Sequence, residues 1–183
     1  PNIQIPMYIT AYRTPSMKTR EARVLDMVSS YLSGGKSSPM QKKIVDEKKM
    51  ALQLFAFNYA QEDYGMYLIA GLPMGETTRE ALQTEIDAEI AKLQTELISE
   101  RDYQKLQNDF ENRYVNGNSN LETLAENLAS NYLLYGDINL INEEINIYRS
   151  ITREEIRDVA KKYLNSNSRL LLDYVPAKEE AAK

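Results

Sequence analysis

The stretch MALQLFAFNYAQEDYGMYLIAGLP, residues 50–73, decides the fold class of this chain. Its two halves, 50–58 and 64–73, are rich in leucine, phenylalanine, tyrosine and isoleucine, and the polar segment Gln61-Glu62-Asp63 lies between them. Two apolar runs of strand length that flank a polar turn are typical of a β-hairpin. The sequence therefore predicts two neighbouring antiparallel strands in the first half of the chain.

The chain ahead of this hairpin predicts one more strand and two helices. Residues 3–13 mix β-branched and aromatic side chains with roughly alternating polarity, which is typical of a half-buried strand, and Pro6 favours a strand start or an edge position. A helical pattern follows and ends at Gly34-Gly35. Its apolar stripe is Ala22, Leu25, Val28 and Leu32. Ser38-Pro39 then predicts an N-cap and the first residue of a short helix that runs to about Asp46.

The chain after Pro73 is predicted to be helical almost to its end. Three hydroxyl residues stand three positions before a glutamate, which is the spacing of a capping box, and Ser99 with Asp102 is a weaker version. The three boxes are Thr77 with Glu80, Ser119 with Glu122 and Thr152 with Glu155. Each helix carries an apolar stripe. The stripes are Leu82, Ile86, Ile90, Leu93 and Leu97; Leu121, Leu124, Leu128 and Tyr132; Ile138, Ile141, Ile145 and Tyr148; and Ile156, Val159, Ala160 and Tyr163.

A last apolar run, residues 168–175, is closed by Pro176 and predicts a final strand. The order is then strand, helix, short helix, strand, strand, four or five helices and strand. Because helices do not alternate with strands, this order predicts an α+β fold, with a largely antiparallel mixed sheet and helices packed on one face. We expect a single domain over residues 1–177 and a polar, frayed tail over residues 178–183.

The composition excludes several classes of site. The chain contains no cysteine and no histidine, so disulfides, thiolate or imidazole metal ligands, and Ser-His-Asp or cysteine catalysis cannot be built from it alone. We therefore expect no catalytic residue, no metal ligand and no cofactor within it. Lysine and arginine number 22 against 27 acidic residues, and this net charge of −5 disfavours nucleic acid as a partner.

The hydrophobic pattern also bears on the location of the protein. No apolar run approaches the roughly 18 residues that a membrane span requires, and we expect no signal peptide ahead of the first strand. We expect a soluble chain excised from a longer protein. Its sequence leaves the compartment open.

Three groups of residues are candidates for binding chemistry. The segment 34–38, Gly-Gly-Lys-Ser-Ser, ends like a phosphate-binding loop, but Ser30 stands where that motif has its first glycine, and a helix precedes it instead of a strand. We therefore predict a helix stop followed by an N-cap.

The acidic pairs are predicted to be solvated or to face a helix dipole. They are Glu85 with Glu89, Glu143 with Glu144 and Glu154 with Glu155. Without a basic groove, the hairpin tyrosines are expected in the core and at its rim. They are Tyr59, Tyr64 and Tyr67.

The order of motifs resembles a known family. The first part of the chain combines a strand ending before Pro15, a helix, a Leu-x-Gly-Gly-x-Ser-Ser turn at residues 32–38 and the hairpin. The last part combines Gly136-Asp137, an Ile-Thr-x-Glu-Glu-Ile helix start at residues 151–156, a Val-Ala-x-Lys-Tyr-Leu segment at residues 159–164 and a final strand. Together these resemble the second, non-catalytic type of domain in the insulinase/pitrilysin family of zinc metallopeptidases.

The resemblance implies a partner that this chain does not contain. Catalytic domains of the family carry the inverted zinc motif His-x-x-Glu-His, so zinc and the catalytic residues are expected in another domain or subunit. Active members often carry an arginine and a tyrosine, seven residues apart after the Ser-Ser turn, which help to hold the substrate. Those places fall at Val45 and Leu52 here, so no substrate-binding residue is expected.

The sequence leaves three hypotheses for the function, two of which rest on the resemblance. The first is a non-catalytic domain that forms one wall of a chamber in a peptide-hydrolysing zinc metallopeptidase. The second is a structural or regulatory partner subunit of the same fold with no peptidase activity. The third, ranked last, is an unrelated domain that captures peptides on its hairpin edge, which would require an exposed strand over residues 50–58.

Overall fold

The structure is a computed structural model that describes residues 5–176. The strands and helices are β1 (Met7–Pro15), α1 (Arg20–Ser33), β2 (Ala51–Tyr59), β3 (Tyr64–Pro73), α2 (Arg79–Thr95), α3 (Glu100–Gly117), α4 (Leu121–Tyr135), α5 (Leu140–Ser150), α6 (Arg153–Tyr163) and β4 (Arg169–Tyr174). A π-helical segment, Gln41–Glu47, precedes β2, and a 3-10 turn, Ser166–Ser168, precedes β4. Predicted strand residues 3–4, the predicted domain boundary at 177 and the tail at 178–183 lie outside the described residues.

The described strands form one antiparallel sheet in the order β2-β3-β1-β4. The predicted hairpin is present, with Phe57 opposite Leu68. Strand β1 lies in the centre, where Tyr12 faces Tyr67 on one side and Arg169 on the other. The predicted α+β class with a largely antiparallel sheet is therefore confirmed.

Helices α1, α2 and α6 cover one face of this sheet, which we call the inner face. Its side chains include Tyr12, Leu54 and Tyr67, all buried. The predicted stripe of α1 packs against them, and Leu25, Val28 and Leu32 have no exposed surface. Burying this apolar area is the main stabilising contribution to the domain.

The helix that follows Gly34-Gly35 begins where it was predicted. Pro39 and Met40 are helical and lead into the π-helical segment, and the carbonyl oxygen of Ser38 accepts from the N–H of Lys42 at 2.9 Å. Ser38 therefore stands at the predicted N-cap position, with Pro39 as the first helical residue. Its hydroxyl does not cap the helix, because it donates to the carbonyl oxygen of Gly35 at 2.7 Å and closes the preceding turn.

Two of the predicted capping boxes are wrong by one residue. The N-cap of α2 is Thr78, whose hydroxyl accepts from the backbone N–H of Ala81 at 3.2 Å. Thr77 instead donates its hydroxyl to the carbonyl oxygen of Met74 at 2.7 Å. Because that hydroxyl and the Thr77 N–H both close the turn from Met74, the helix starts one residue later.

The start of α4 shows the same displacement. Ser119 closes the turn from Asn116, and Asn120 is the N-cap, accepting from the N–H of Thr123 at 2.8 Å. The box of Thr152 with Glu155 is present in full. Ser99 also caps α3, accepting from the N–H of Asp102 at 3.1 Å.

One predicted stripe is not buried. In α4, Leu121 and Tyr132 are 85% and 68% exposed, and no residue of this helix is buried against the described part of the chain. Ile138, predicted in the next stripe, precedes α5 and is exposed. The pair of α4 and α5 therefore joins the domain through one face of each helix.

Candidate functional site

The two places where the family pattern has an arginine and a tyrosine lie on different elements. Val45 lies in the π-helical segment and packs, partly buried, against the core. Leu52 is half exposed in β2, where the register shifts between Ala51 and Gln53. Both side chains are aliphatic and cannot hydrogen-bond a peptide.

The Gly-Gly-Lys-Ser-Ser segment makes internal contacts. The N–H of Gly34 donates to the carbonyl oxygen of Ser30 at 2.9 Å and ends α1. The hydroxyl of Ser37 accepts from Nζ of Lys105 on α3 at 2.7 Å. These contacts support the interpretation of this segment as a helix stop.

The acidic pairs are mostly neutralised by neighbouring side chains. Glu85 and Glu89 pair with Lys48 and Lys43 respectively, each at 2.5 Å. Glu155 completes its capping box and also pairs with Arg20 at 2.7 Å, and this arginine lowers the pKa of Glu155. Within residues 5–176, no group of three or more histidine, cysteine or acidic side chains is arranged to hold a metal ion.

Five polar side chains meet between α1 and α5, and we call them the polar cluster: Arg23, Asp26, Asn58, Glu144 and Tyr148. The sequence patterns include only Glu144, in an acidic pair, and Tyr148, in an apolar stripe, and they do not bring the five together. Asp26 accepts hydrogen bonds from the hydroxyl of Tyr148 at 2.9 Å and from Nδ2 of Asn58 at 3.1 Å. Burial raises the pKa of Asp26 above its ordinary value, although the two hydrogen-bond donors and the positive charge of Arg23 act to lower it.

The polar cluster also contains an ion pair between a buried arginine, Arg23, and a more exposed glutamate, Glu144. Arg23 is buried, and its Nε lies 3.9 Å from the carboxylate of Glu144. Burial raises the pKa of Glu144, and Arg23 opposes that rise. A cavity of about 250 Å³ adjoins the cluster and is lined in part by Tyr59 and Tyr135. Because the carboxylate of Asp26 is held by internal donors, the cluster joins elements and offers no activated nucleophile.

The free edge of β2 bears on the hypothesis of peptide capture. The hydroxyl of Ser33 on α1 accepts from the N–H of Ala56 at 2.8 Å and donates to its carbonyl oxygen at 3.2 Å. The side chain of Asn58 also turns toward α1, where it reaches the carbonyl oxygen of Ala22. Helix α1 therefore covers the centre of this edge, which disfavours the third hypothesis.

The second face of the sheet is apolar and open in the described part of the chain. We call it the outer sheet face. Its exposed members are Phe55, Phe57, Tyr59, Met66, Leu170, Leu172 and Tyr174, between 43% and 67% exposed. One row crosses all four strands through Phe57, Leu68, Ala11 and Leu170. Contiguous apolar surface of this kind marks an interaction site.

The sequence of β2 carries a signal for this face. A strand with one solvated face alternates apolar and polar residues, whereas β2 reads ALQLFAFNY, with Phe55 and Phe57 on the face opposite Leu54 and Ala56. Apolar residues on both faces indicate a sheet that is covered on both sides.

Comparison with known proteins identifies the family. Residues 1–110 match the family model described as the Peptidase M16 inactive domain. The chain belongs to this family. The sequence-based resemblance of this M16 inactive domain to the non-catalytic domain of zinc metallopeptidases is therefore confirmed.

Relatives of the M16 inactive domain include a zinc protease, PqqE of Helicobacter pylori, which is 29% identical over 154 residues. That match covers 83% of this chain but 34% of the relative, so the chain spans about a third of that protein. The structure of a protease from Helicobacter pylori superposes with a TM-score of 0.87 at 24% identity, over 95% of this chain and 42% of that one.

An inactive peptidase domain from Bordetella parapertussis has nearly the same extent as this chain. It superposes with a TM-score of 0.85 at 17% identity, over 97% of this chain and 94% of that one. These likenesses confirm the fold of the M16 inactive domain. In its described part, no helix has the length and apolarity needed to cross a bilayer.

Proposed function

We propose that this chain is the chamber-forming, non-catalytic domain of a zinc metallopeptidase that hydrolyses peptides. Zinc and the catalytic residues would belong to another domain or subunit of the same family. The family match and the similarity to a zinc protease support this role. The chain has no histidine, so it cannot contain the motif His-x-x-Glu-His, and its residues do not fit a zinc site of that kind.

The outer sheet face is the observation that carries the proposal. Soluble domains rarely leave a contiguous apolar surface on a four-stranded sheet open to water. Strand β4 is an edge strand in which Leu170, Leu171 and Leu172 are all 45% or more exposed. An exposed apolar edge strand favours pairing and aggregation unless it is covered. The catalytic domain is the partner that we propose to cover this face.

In this arrangement the partner would catalyse the reaction and this domain would help to enclose the substrate. The partner's metal site would cleave the amide bond, while this domain would close one side of the space around the substrate. A chamber of limited size selects short or unfolded peptides in an extended conformation. The domain would thus act on selectivity, without touching the reacting atoms.

The experiment is a reconstitution with the partner that carries His-x-x-Glu-His. The 183-residue chain is combined with that partner, and zinc-dependent cleavage of a quenched-fluorescent peptide is measured with Phe57→Lys and, as a matched control, Val115→Lys. Val115 is 59% exposed on α3, away from the sheet. We expect activity to require the chain, to be lost with Phe57→Lys and to survive in the control. Peptidase activity of the chain alone that tracks bound zinc would contradict the proposal.

The second hypothesis, a structural or regulatory partner subunit, is favoured by a different observation. The aliphatic residues Val45 and Leu52 stand at the places of the family's substrate-holding arginine and tyrosine. The two hypotheses separate in the reconstitution. Assembly with the partner, reduced by Phe57→Lys but without peptide cleavage, supports the regulatory subunit. A His-x-x-Glu-His motif in the roughly 200 residues encoded upstream supports the peptidase.

A further inference from the structure

Helix α4 has an apolar stripe on the side that faces away from the domain. Its inner side packs toward α5 and is fixed by Asn127, whose Nδ2 donates to Oδ1 of Asn118 at 3.0 Å. On the other side, Leu121 and Leu133 are 85% and 80% exposed, and Tyr132 is 68% exposed. Exposed Ala125 and Ala129 lie between them, and the exposed polar residues Glu122, Glu126 and Ser130 border the stripe. An apolar stripe with a polar border, on the side away from the domain, is typical of a helix that packs against a second neighbour.

The order of residues in this stripe is symmetric about Asn127. Leu121 and Leu133 stand six residues before and after it, and Ala125 and Ala129 stand two residues before and after it. The four side chains lie on one i, i+4 row of the helix, the row that forms a ridge in helix packing. An antiparallel copy of the same helix would therefore place leucine against leucine at both ends and alanine against alanine in the centre.

We infer that α4 is a self-association surface, on which a second copy of this chain docks through an antiparallel α4–α4 contact. The two-fold axis passes between Ala125 and Ala129, level with Asn127 but on the opposite side of the helix, which gives an isologous interface in which each residue i contacts j and each j contacts i. The small alanines allow the helices to approach closely, and the large side chains at the ends fill the space where the helices diverge. This inference does not depend on the proposed function, because α4 is not part of the outer sheet face.

A polar contact supports the same register. Glu122 and Tyr132 are each five residues from Asn127, so the axis brings the Tyr132 hydroxyl of one copy opposite the Glu122 carboxylate of the other. Both side chains are exposed within the described chain. A hydroxyl that donates to a carboxylate makes a charge-assisted hydrogen bond at the rim of the contact.

The size of the stripe places the contact among small, reversible interfaces. Burying the exposed part of these side chains in both copies removes roughly 1,000 Å² from water, the low end for specific interfaces. We expect a reversible dimer with a dissociation constant on the order of micromolar. Its population should change with protein concentration in the accessible range.

The test uses sedimentation equilibrium of the 183-residue chain over a range of about 1 to 200 μM. We expect a monomer–dimer equilibrium in the unmodified chain. Ala129→Glu places an unpaired charge in the centre of the contact and should weaken the dimer at least about tenfold. Ala91→Glu is the matched control, because Ala91 is exposed on α2, and it should leave the equilibrium unchanged.

Charge complementation tests the antiparallel register. Residue 125 of one copy faces residue 129 of the other, so Ala125→Lys alone and Ala129→Glu alone should each dimerise at least about tenfold more weakly than the unmodified chain, whereas their mixture should dimerise more strongly than either variant alone. Recovery in the mixture also shows that both variants are folded. A chain that is monomeric at every concentration, a dimer unaffected by Ala129→Glu, or variants that do not associate when mixed would each overturn the inference.

Discussion

The hydroxyl of Tyr148 on α5 donates a hydrogen bond of 2.9 Å to the carboxylate of Asp26 on α1. The same carboxylate accepts from Asn58 on β2, so one half-buried group joins three elements. The ring of Tyr148 also stacks on Phe110 of α3, with centroids 4.4 Å apart. Because α4 buries no residue of its own in the described chain, the α4–α5 pair is attached through α5, by this contact and by the buried Leu140 and Ile145.

Removal of the Tyr148 hydroxyl should destabilise the domain. Tyr148→Phe keeps the ring against Phe110 and leaves the half-buried Asp26 carboxylate with one donor fewer. We expect the free energy of unfolding in urea to fall by about 1–3 kcal/mol. Tyr64→Phe is the control, because Tyr64 is 60% exposed and its loss of a hydroxyl should change little. Equal stability of the two variants would contradict the role given to this hydrogen bond.

The polar cluster should give a recognisable pH dependence. Burial raises the pKa of Asp26 above its ordinary value, so the folded state binds the proton more tightly than the unfolded state. The stabilising contribution of protonation is fully present below the unfolded pKa, near 4, and is lost as the pH rises through the folded pKa.

Asp26→Asn removes this titration and isolates its effect. The stability of the unmodified chain minus that of Asp26→Asn should therefore decrease as the pH rises from about 4 to about 7. Urea unfolding of both proteins across that range measures the difference, and Glu144 titrates in both and cancels to first order. A difference that grows with pH would show that the ionised carboxylate is the stabilised form.

The corrected helix starts can be tested by alanine substitution. Thr78→Ala removes the N-cap of α2 and should lower the free energy of unfolding by about 1 kcal/mol. Thr77→Ala removes only an exposed hydrogen bond to Met74 and should cost well under that amount. Asn120→Ala and Ser119→Ala form the equivalent pair at α4. If Thr77→Ala cost more than Thr78→Ala, the sequence-based capping box would be right and the assigned start wrong.

Local and periodic signals account for what the sequence could predict. The hairpin follows from two apolar runs around a polar turn, and the box of Thr152 with Glu155 needs only residues three positions apart. The boxes at Thr77 and Ser119 were displaced because each hydroxyl closes a preceding turn, and spacing alone does not report that competition.

Contacts between distant residues account for what the sequence could not predict. Asp26 and Tyr148 are 122 residues apart, and neither lies in a motif. Nothing in the helical spacing of α4 shows which of its two apolar sides faces the domain, so Leu121 and Tyr132 were expected in a stripe that the structure leaves exposed. The outer sheet face could have been found, because the apolar residues of β2 occupy both faces of the strand.

Substitution by alanine should change the thermal stability differently at two helix-terminal glycines. Gly136 ends α4 with a φ of +73°, a left-handed conformation that costs a residue with a Cβ atom roughly 1–2 kcal/mol. Gly117 is the last residue of α3, has no positive φ, and a Cβ there would meet no described atom within 4 Å. We therefore expect Gly136→Ala to lower the midpoint of thermal unfolding, and Gly117→Ala to leave it unchanged or raise it, since alanine restricts the unfolded chain more than glycine does. A loss of stability in Gly117→Ala as large as that in Gly136→Ala would mean that both helix ends need glycine, which contradicts the backbone conformation assigned to α3.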